Sequence, residues 1–213
     1  MSKNGKIEQL AFASFGDPFP VPNGWNWAFL SKALTHRKEF ITISDEKEYQ
    51  RVTVQLHGRG IVARDTVKGY EIKTKQQKVI QPNDFLVAEI DAKMGGFGIV
   101  PPSLAGAIVS SHYFTFEINS ALLLPKFIDA FIKVGFVTKS IENSVRGSLN
   151  YAAIRPAHIL RMQFPYAPRP DQERLIEQME IAEKAINAAQ NQLEALQSLP
   201  GAIIRAAIEK GEQ

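Results

Sequence analysis

The chain has 213 residues, which is one ordinary domain with an appendage or one elongated domain, and its 45% hydrophobic and 22% charged residues suit a globular protein with a core. Cysteine is absent, which excludes a disulfide framework, thiolate zinc sites and a cysteine nucleophile and fits a reducing compartment. The net charge of +3 is uneven, with 20 basic against 14 acidic residues over 1–168 and 5 against 8 over 169–213, so the basic globular part suggests either an anionic partner, nucleic acid first, or a lysine excess that only keeps the domain soluble, and charge alone does not choose between them.

Residues 1–20 read as an extended arm, because Asp17, Pro18, Pro20 and Pro22 break any helix there. No segment there or later resembles a signal peptide or a membrane span, so a cytoplasmic location and no membrane partner are expected. In "PNGWNWAFLSKAL", Asn23 and Gly24 predict a turn, with Trp25, Trp27, Phe29 and Leu30 burying into the domain. "YQRVTVQL" alternates as a strand with Val52, Val54 and Leu56 on one face, and "YEIKTKQQKVI" alternates again from Tyr70. "DFLVAEI" is a short apolar run after a turn, as a buried strand would be, and "GAIVSSHYFTFEI" is a further strand. "LPKFIDAFIKVGFVTKSI" predicts one helix with Phe127, Ile128, Phe131, Ile132 and Val134 on a wide apolar face. "HILRMQFPYAPRP" reads as a strand ending at a proline hinge.

A long helix is expected from Asp171 to Leu199, about 43 Å at 1.5 Å per residue, ended by Pro200, with "GAIIRAAIEKG" as a short terminal helix. Its apolar residues Leu175, Met179, Ala182, Ile186, Ala189, Leu193 and Leu196 alternate in steps of four and three, a heptad seam of the kind that packs against a partner helix. The fold class expected is α+β, with a mixed domain over 1–168 and a helical region over 169–213.

Catalytic signatures are missing from the sequence. His36, His57, His112 and His158 never fall at metal-ligand spacing, no nucleophile elbow occurs, and "MGGFG" lacks the lysine and hydroxyl of a phosphate loop, so it reads as a tight turn. A protein that is not an enzyme by itself is expected. From Arg51 to Lys78 seven basic residues stand against Asp65 and Glu71. "HGRGIVARD" reads as a mobile loop presenting His57, Arg59 and Arg64, and Lys73, Lys75 and Lys93 follow. A second loop, "SVRGSLNYAAIR", offers Arg146, Asn150 and Tyr151. These nine are the expected DNA contacts, since phosphates need cations and base edges need forked donors.

The order of the stretches "PNGWNWAFL", "GRGIVARDTVKGYEIKTKQQKVIQPNDFLVAEIDAKMGGFGIVPPSLAGAIVSSHYFTFEIN", "SVRGSLNY", "PRPDQERLIEQM" and "LQSLPGAIIRAAIEKGE" resembles the specificity subunits of type I restriction–modification systems, from Pro22 onward. The resemblance implies a target recognition domain followed by a conserved helical spacer. A standard subunit carries two of each; this sequence has one, so it resembles a half-length form. It implies double-stranded DNA, modification (methyltransferase) subunits and a restriction subunit as partners, together with a second copy or another half subunit. It implies no cofactor in this chain, with S-adenosylmethionine, ATP and Mg in the partner subunits. On this reading the helix is a ruler of about 13 bp between two half-sites. The competing reading is a scaffold or decoy that holds partner helices through the seam and reads no sequence; a free-standing repressor is weaker, for want of a helix-turn-helix.

Overall fold

The computed structural model describes residues 20–144 and 154–211. The chain divides into two compact units, the first running through Gln172 and the second starting at Glu173.

The first unit is built on three sheets. β1 (Asn26–Phe29) pairs antiparallel with β11 (Gln163–Tyr166), which ties the two ends of the unit together. An antiparallel sheet has the order β2 (Leu34–Arg37), β10 (Tyr113–Ile118), β7 (Phe85–Ala88), β8 (Phe97–Ile99). A second has the order β3 (Ile41–Thr42), β6 (Gln76–Val79), β9 (Ile108–Val109), β4 (Glu48–Val54), β5 (Ile61–Lys68), with β4 and β9 parallel. Val52, Ile61, Leu86, Val100 and Val109 share one core cluster, so the larger sheets bury apolar surface against each other. Every residue of β7 is buried, as its unbroken apolar run predicts.

The helices are α1 (Pro125–Lys133), α2 (Phe136–Ser144), α3 (Pro156–Leu160) and α4 (Arg169–Gly211). Phe127 and Phe131 of α1, Phe136 of α2 and Phe164 of β11 form a ring cluster, with Phe131 and Phe164 centroids 4.9 Å apart. Trp25 packs edge-on to Phe127 at 5.7 Å and Trp27 lies 6.1 Å from Phe136. Each buried ring contributes about 1.5–3 kcal/mol, so this cluster holds the helices to the β1–β11 pair. The first turn of α4 is anchored in the same unit. Gln172, 2% exposed, accepts the Leu124 N–H at 2.8 Å and donates to the carbonyls of Leu122 and Ala167, both at 2.9 Å. The Trp25 indole N–H donates to Asp171 at 2.9 Å.

Several expectations are corrected. The single helix expected over 124–141 is two, because Gly135 takes φ +81°, a left-handed value that ends α1. "GAIVSSHYFTFEI" is two strands, β9 and β10, in different sheets. "YEIKTKQQKVI" begins as a 3-10 turn, Gly69–Glu71, in which the Glu71 carboxylate accepts the Lys68 N–H at 2.8 Å; the strand starts only at Gln76. "HILRMQFPYAPRP" opens in α3 before β11. Phe29, at the end of β1, is 52% exposed, and Leu30, which opens the 3-10 turn Leu30–Lys32, takes the core position.

The terminal helix is also corrected. α4 runs unbroken for 43 residues through Pro200, about 64 Å at 1.5 Å per residue. No short terminal helix is set apart. Proline removes one backbone bond, to the Leu196 carbonyl, and crowds that carbonyl. Here Leu196, Pro200 and their neighbours are all exposed, so water can take the freed carbonyl, and Ser198 adds a local bond to the Ala195 carbonyl at 2.7 Å. Of the 1–20 arm, only Pro20 lies within the described residues.

Candidate nucleic-acid interface

The β4–β5 hairpin brings the basic stretch together. Its register pairs Arg51 with Asp65 and Glu48 with Lys68, with a bulge between Arg51 and Val52. Arg51 forks onto the Asp65 carboxylate at 2.7 and 2.6 Å. That hydrogen-bonded guanidinium holds the Asp65 carboxyl below the usual carboxylate range. Arg64 approaches the same carboxylate at 3.7 Å, too far for a hydrogen bond. Arg64 and Lys73 make no hydrogen bond to any described residue, and both are exposed.

Beside them opens a groove of about 490 Å³. Arg51, Arg64, Lys73, Thr74, Gln77, Ser110 and Tyr113 supply its polar groups and Val52, Ile72, Ile108 and Val109 its apolar floor; Glu71 is the one acid on its wall. Gln77 is buried and donates to the Thr74 carbonyl at 2.7 Å, which fixes the turn carrying Lys73. Burial and the nearby Asp91 charge push the Tyr113 hydroxyl above its usual pKa, so it stays a neutral donor.

A second group sits at the hairpin tip. His57 (φ +62°) and Arg59 are exposed, and the Arg59 Nε–H donates to the Leu56 carbonyl at 3.1 Å. The "HGRG" loop is not mobile in the sense expected, for its backbone is bonded to the "MGGFG" turn: His57 N–H to Met94 O at 2.7 Å and Gly58 N–H to Gly95 O at 2.9 Å. Gly95 takes φ +76°, and a Cβ there would lie 2.7 Å from Gly58 N, so the glycine of this tight turn lets two backbones meet. Half-buried Lys93, on the 3-10 turn Asp91–Met94, belongs to this group.

Of the nine expected contacts, Arg64 and Lys73 therefore share the groove, and His57, Arg59 and Lys93 share the hairpin tip. Lys75 is committed elsewhere: it pairs with Asp45 and donates to the Gly69 carbonyl at 2.7 Å, closing the turn before β6. Arg146, Asn150 and Tyr151 lie outside the described residues. Sequence reading passed over Arg51, Gln77 and Tyr113 as site residues. A hairpin folded about Gly58 would have brought Arg51 to Asp65, and that signal is in the sequence; the approach of β9 and Tyr113 is not.

Along α4, Leu175 and Met179 are half-buried and Ala182, Ile186, Ala189, Leu193 and Leu196 are exposed, with Ile186 at 54%, Leu193 at 55% and Leu196 at 63%. Exposed Leu199, Ile203, Ile204 and Ile208 carry the apolar residues past Pro200. Among the described residues no cluster of His, Asp and Glu could hold a metal ion, and no helix is long and apolar enough to cross a membrane.

Comparison with family models and with curated proteins returns no match. Among solved structures, the chain is similar to the HsdS subunit from Thermoanaerobacter tengcongensis, at 20% identity and TM-score 0.66, over 81% of this chain and 45% of that one. It is similar to a chain solved in work on complex assembly and conformational transition of the type I R-M system, at 19% identity and TM-score 0.67, over 82% and 46%. The type I restriction–modification S subunit from M. genitalium follows at 13% identity and TM-score 0.50, over 79% and 42%. The α+β fold with its long C-terminal helix is thus an S-subunit fold, and the chain spans less than half the length of the structures it matches.

Proposed function

We propose that this chain is the DNA-specificity component of a type I restriction–modification complex, with one target recognition domain that reads one half of a bipartite site. The observation that carries this reading is the fold, shared over four-fifths of the chain with S subunits. The cationic groove and the hairpin tip support it, because they present forked and point-charge donors on one hairpin and its supporting turns. The chain contributes no catalysis. Modification subunits supply methylation with S-adenosylmethionine, and a restriction subunit supplies the ATP- and Mg-dependent step, in the cytoplasm where the DNA is.

In this proposal the apolar stripe of α4 meets a second copy, or another half subunit, as an antiparallel pair. At about 64 Å the helix is a longer ruler than the segment ending at Pro200 would be. A symmetric pair specifies a palindromic target with an unspecified gap.

The test is the methylation pattern of DNA from cells holding the cognate modification subunit with and without this chain. A palindromic split motif that depends on the chain is the expected result. An asymmetric split motif assigns the second half to a different subunit. Absence of any chain-dependent methylation overturns the reading in favour of a scaffold that binds partner helices and reads no sequence.

A further inference from the structure

We infer that the groove between β4, β5 and the 71–74 turn is a nucleotide-phosphate site, in which Arg64 and Lys73 make the contact and Asp65, itself held by Arg51, is the positioning residue. The inference rests on the proposed DNA reading for the source of the phosphate: it is a backbone phosphodiester, and a free nucleotide offers the same chemistry.

Lys68 pairs with Glu48 at 3.1 Å, Lys75 with Asp45, and Arg51 forks onto Asp65. Arg64 and Lys73 are left with their donors uncommitted, and both line the groove. Arg64, held only by its 3.7 Å approach to Asp65, and Lys73, with no described partner, stand around one concavity and attract an anion. Asp65 looks out of place in an anion site until its bonds are followed. Both its oxygens are engaged by Arg51, so its charge is largely answered, and the 3.7 Å approach of the Arg64 Nε steers that side chain without occupying its fork. The bulge between Arg51 and Val52 lies at the root of this arrangement. The groove's volume, about 490 Å³, lies within the range of small-molecule sites, and its apolar floor with Tyr113 suits the sugar and base that accompany a phosphate.

Asp65→Asn makes the two models predict opposite signs. It removes a negative charge, so a merely electrostatic surface binds an anion more tightly. A positioned site binds more weakly, because Arg51 and Arg64 lose their common anchor. The full chain is titrated with a fluorescent duplex carrying its methylation motif, a scrambled duplex, and thymidine monophosphate, over a salt series. Arg64→Ala and Lys73→Ala are expected to weaken binding roughly tenfold each, equally for both duplexes, and to lower the salt slope by about one. Asp65→Asn is expected to weaken it by roughly fivefold, on the scale of one lost charge-assisted contact, and Asp65→Glu to recover part of that. Unchanged or tighter binding by Asp65→Asn overturns the positioning role. Unchanged affinity and slope in Arg64→Ala and Lys73→Ala, with motif preference intact, overturns the site and leaves the DNA reading standing. If only thymidine monophosphate responds to these variants, the site stands and the DNA reading falls.

Discussion

His36 shows how a single residue's surroundings decide its behaviour. It lies on β2 with its ring 5.3 Å from Phe116 and 5.8 Å from Phe114, and its Nε2 is buried with no hydrogen-bond partner among the described residues. Burial lowers its pKa, with Lys78 and Lys38 adding to the effect and Glu39 opposing it. The sign follows from linkage: between the lowered folded value and the unfolded value near 6.5, the unfolded chain binds more protons, so stability rises with pH. Stability should therefore fall as pH drops through about 6.5 and continue falling until the folded value is passed. Urea midpoints at mildly acid and neutral pH should separate in the wild type and converge in His36→Gln; equal separation in both would assign the slope to other groups. The sequence showed four scattered histidines and no reason to single out this one. The reason is the pairing of β2 with β10, which lays Phe114 and Phe116 against the ring, and the nearness of Lys78 on β6, which no local pattern states.

At the scale of elements, turns were harder to read than apolar runs. β7 and the face of α1 follow directly from their residues, because burial on both faces demands an unbroken apolar strand and a helix on a core demands a wide stripe. The "MGGFG" turn was legible as a turn but not as the anchor of the β4–β5 hairpin. That role predicts that Gly95→Ala will be costly. Its φ is left-handed and its Cβ would lie under 3 Å from the backbone of His57 and Gly58. A loss of about 2–3 kcal/mol is expected in urea unfolding, with faster hydrogen exchange at the His57 and Gly58 amides. Normal protection of those two amides in the variant would show that the hairpin tip does not depend on this contact. Pro200 is the opposite case. Its local rule was right for a buried helix, but in an exposed one a freed carbonyl costs less.

At the scale of the molecule, the governing fact is an apolar stripe that is exposed from Ala182 onward. Ile186 and Leu193 are each more than half exposed, and isolated helices gain their stability from packing such a stripe. With partner helices on it, each of these side chains contributes about 1.5–3 kcal/mol per copy. Ile186→Asp with Leu193→Asp should convert a dimer into a monomer in sedimentation at micromolar concentration, while the fold of the first unit persists. A double variant that remains dimeric would remove the helix from the assembly. The uneven charge belongs to this scale too: the basic excess lies over 1–168 and the acidic excess over 169–213, so the proposed phosphate contacts and the proposed helix pairing fall in separate parts of the chain.

The sequence by itself determined what depends on local period and composition: the α+β class, the buried strand, the long helix with its heptad seam, the absence of cysteine chemistry and the excess of cations between Arg51 and Lys78. Tertiary structure alone decided which of those cations are free. Lys75 is spent on Asp45 and Gly69, Arg51 on Asp65, while Arg64 and Lys73 stay open beside a groove to which β9 and Tyr113 contribute from some forty residues away. Charge is a property of a residue, but an unspent charge is a property of its neighbours, and those are set by strand register and sheet order.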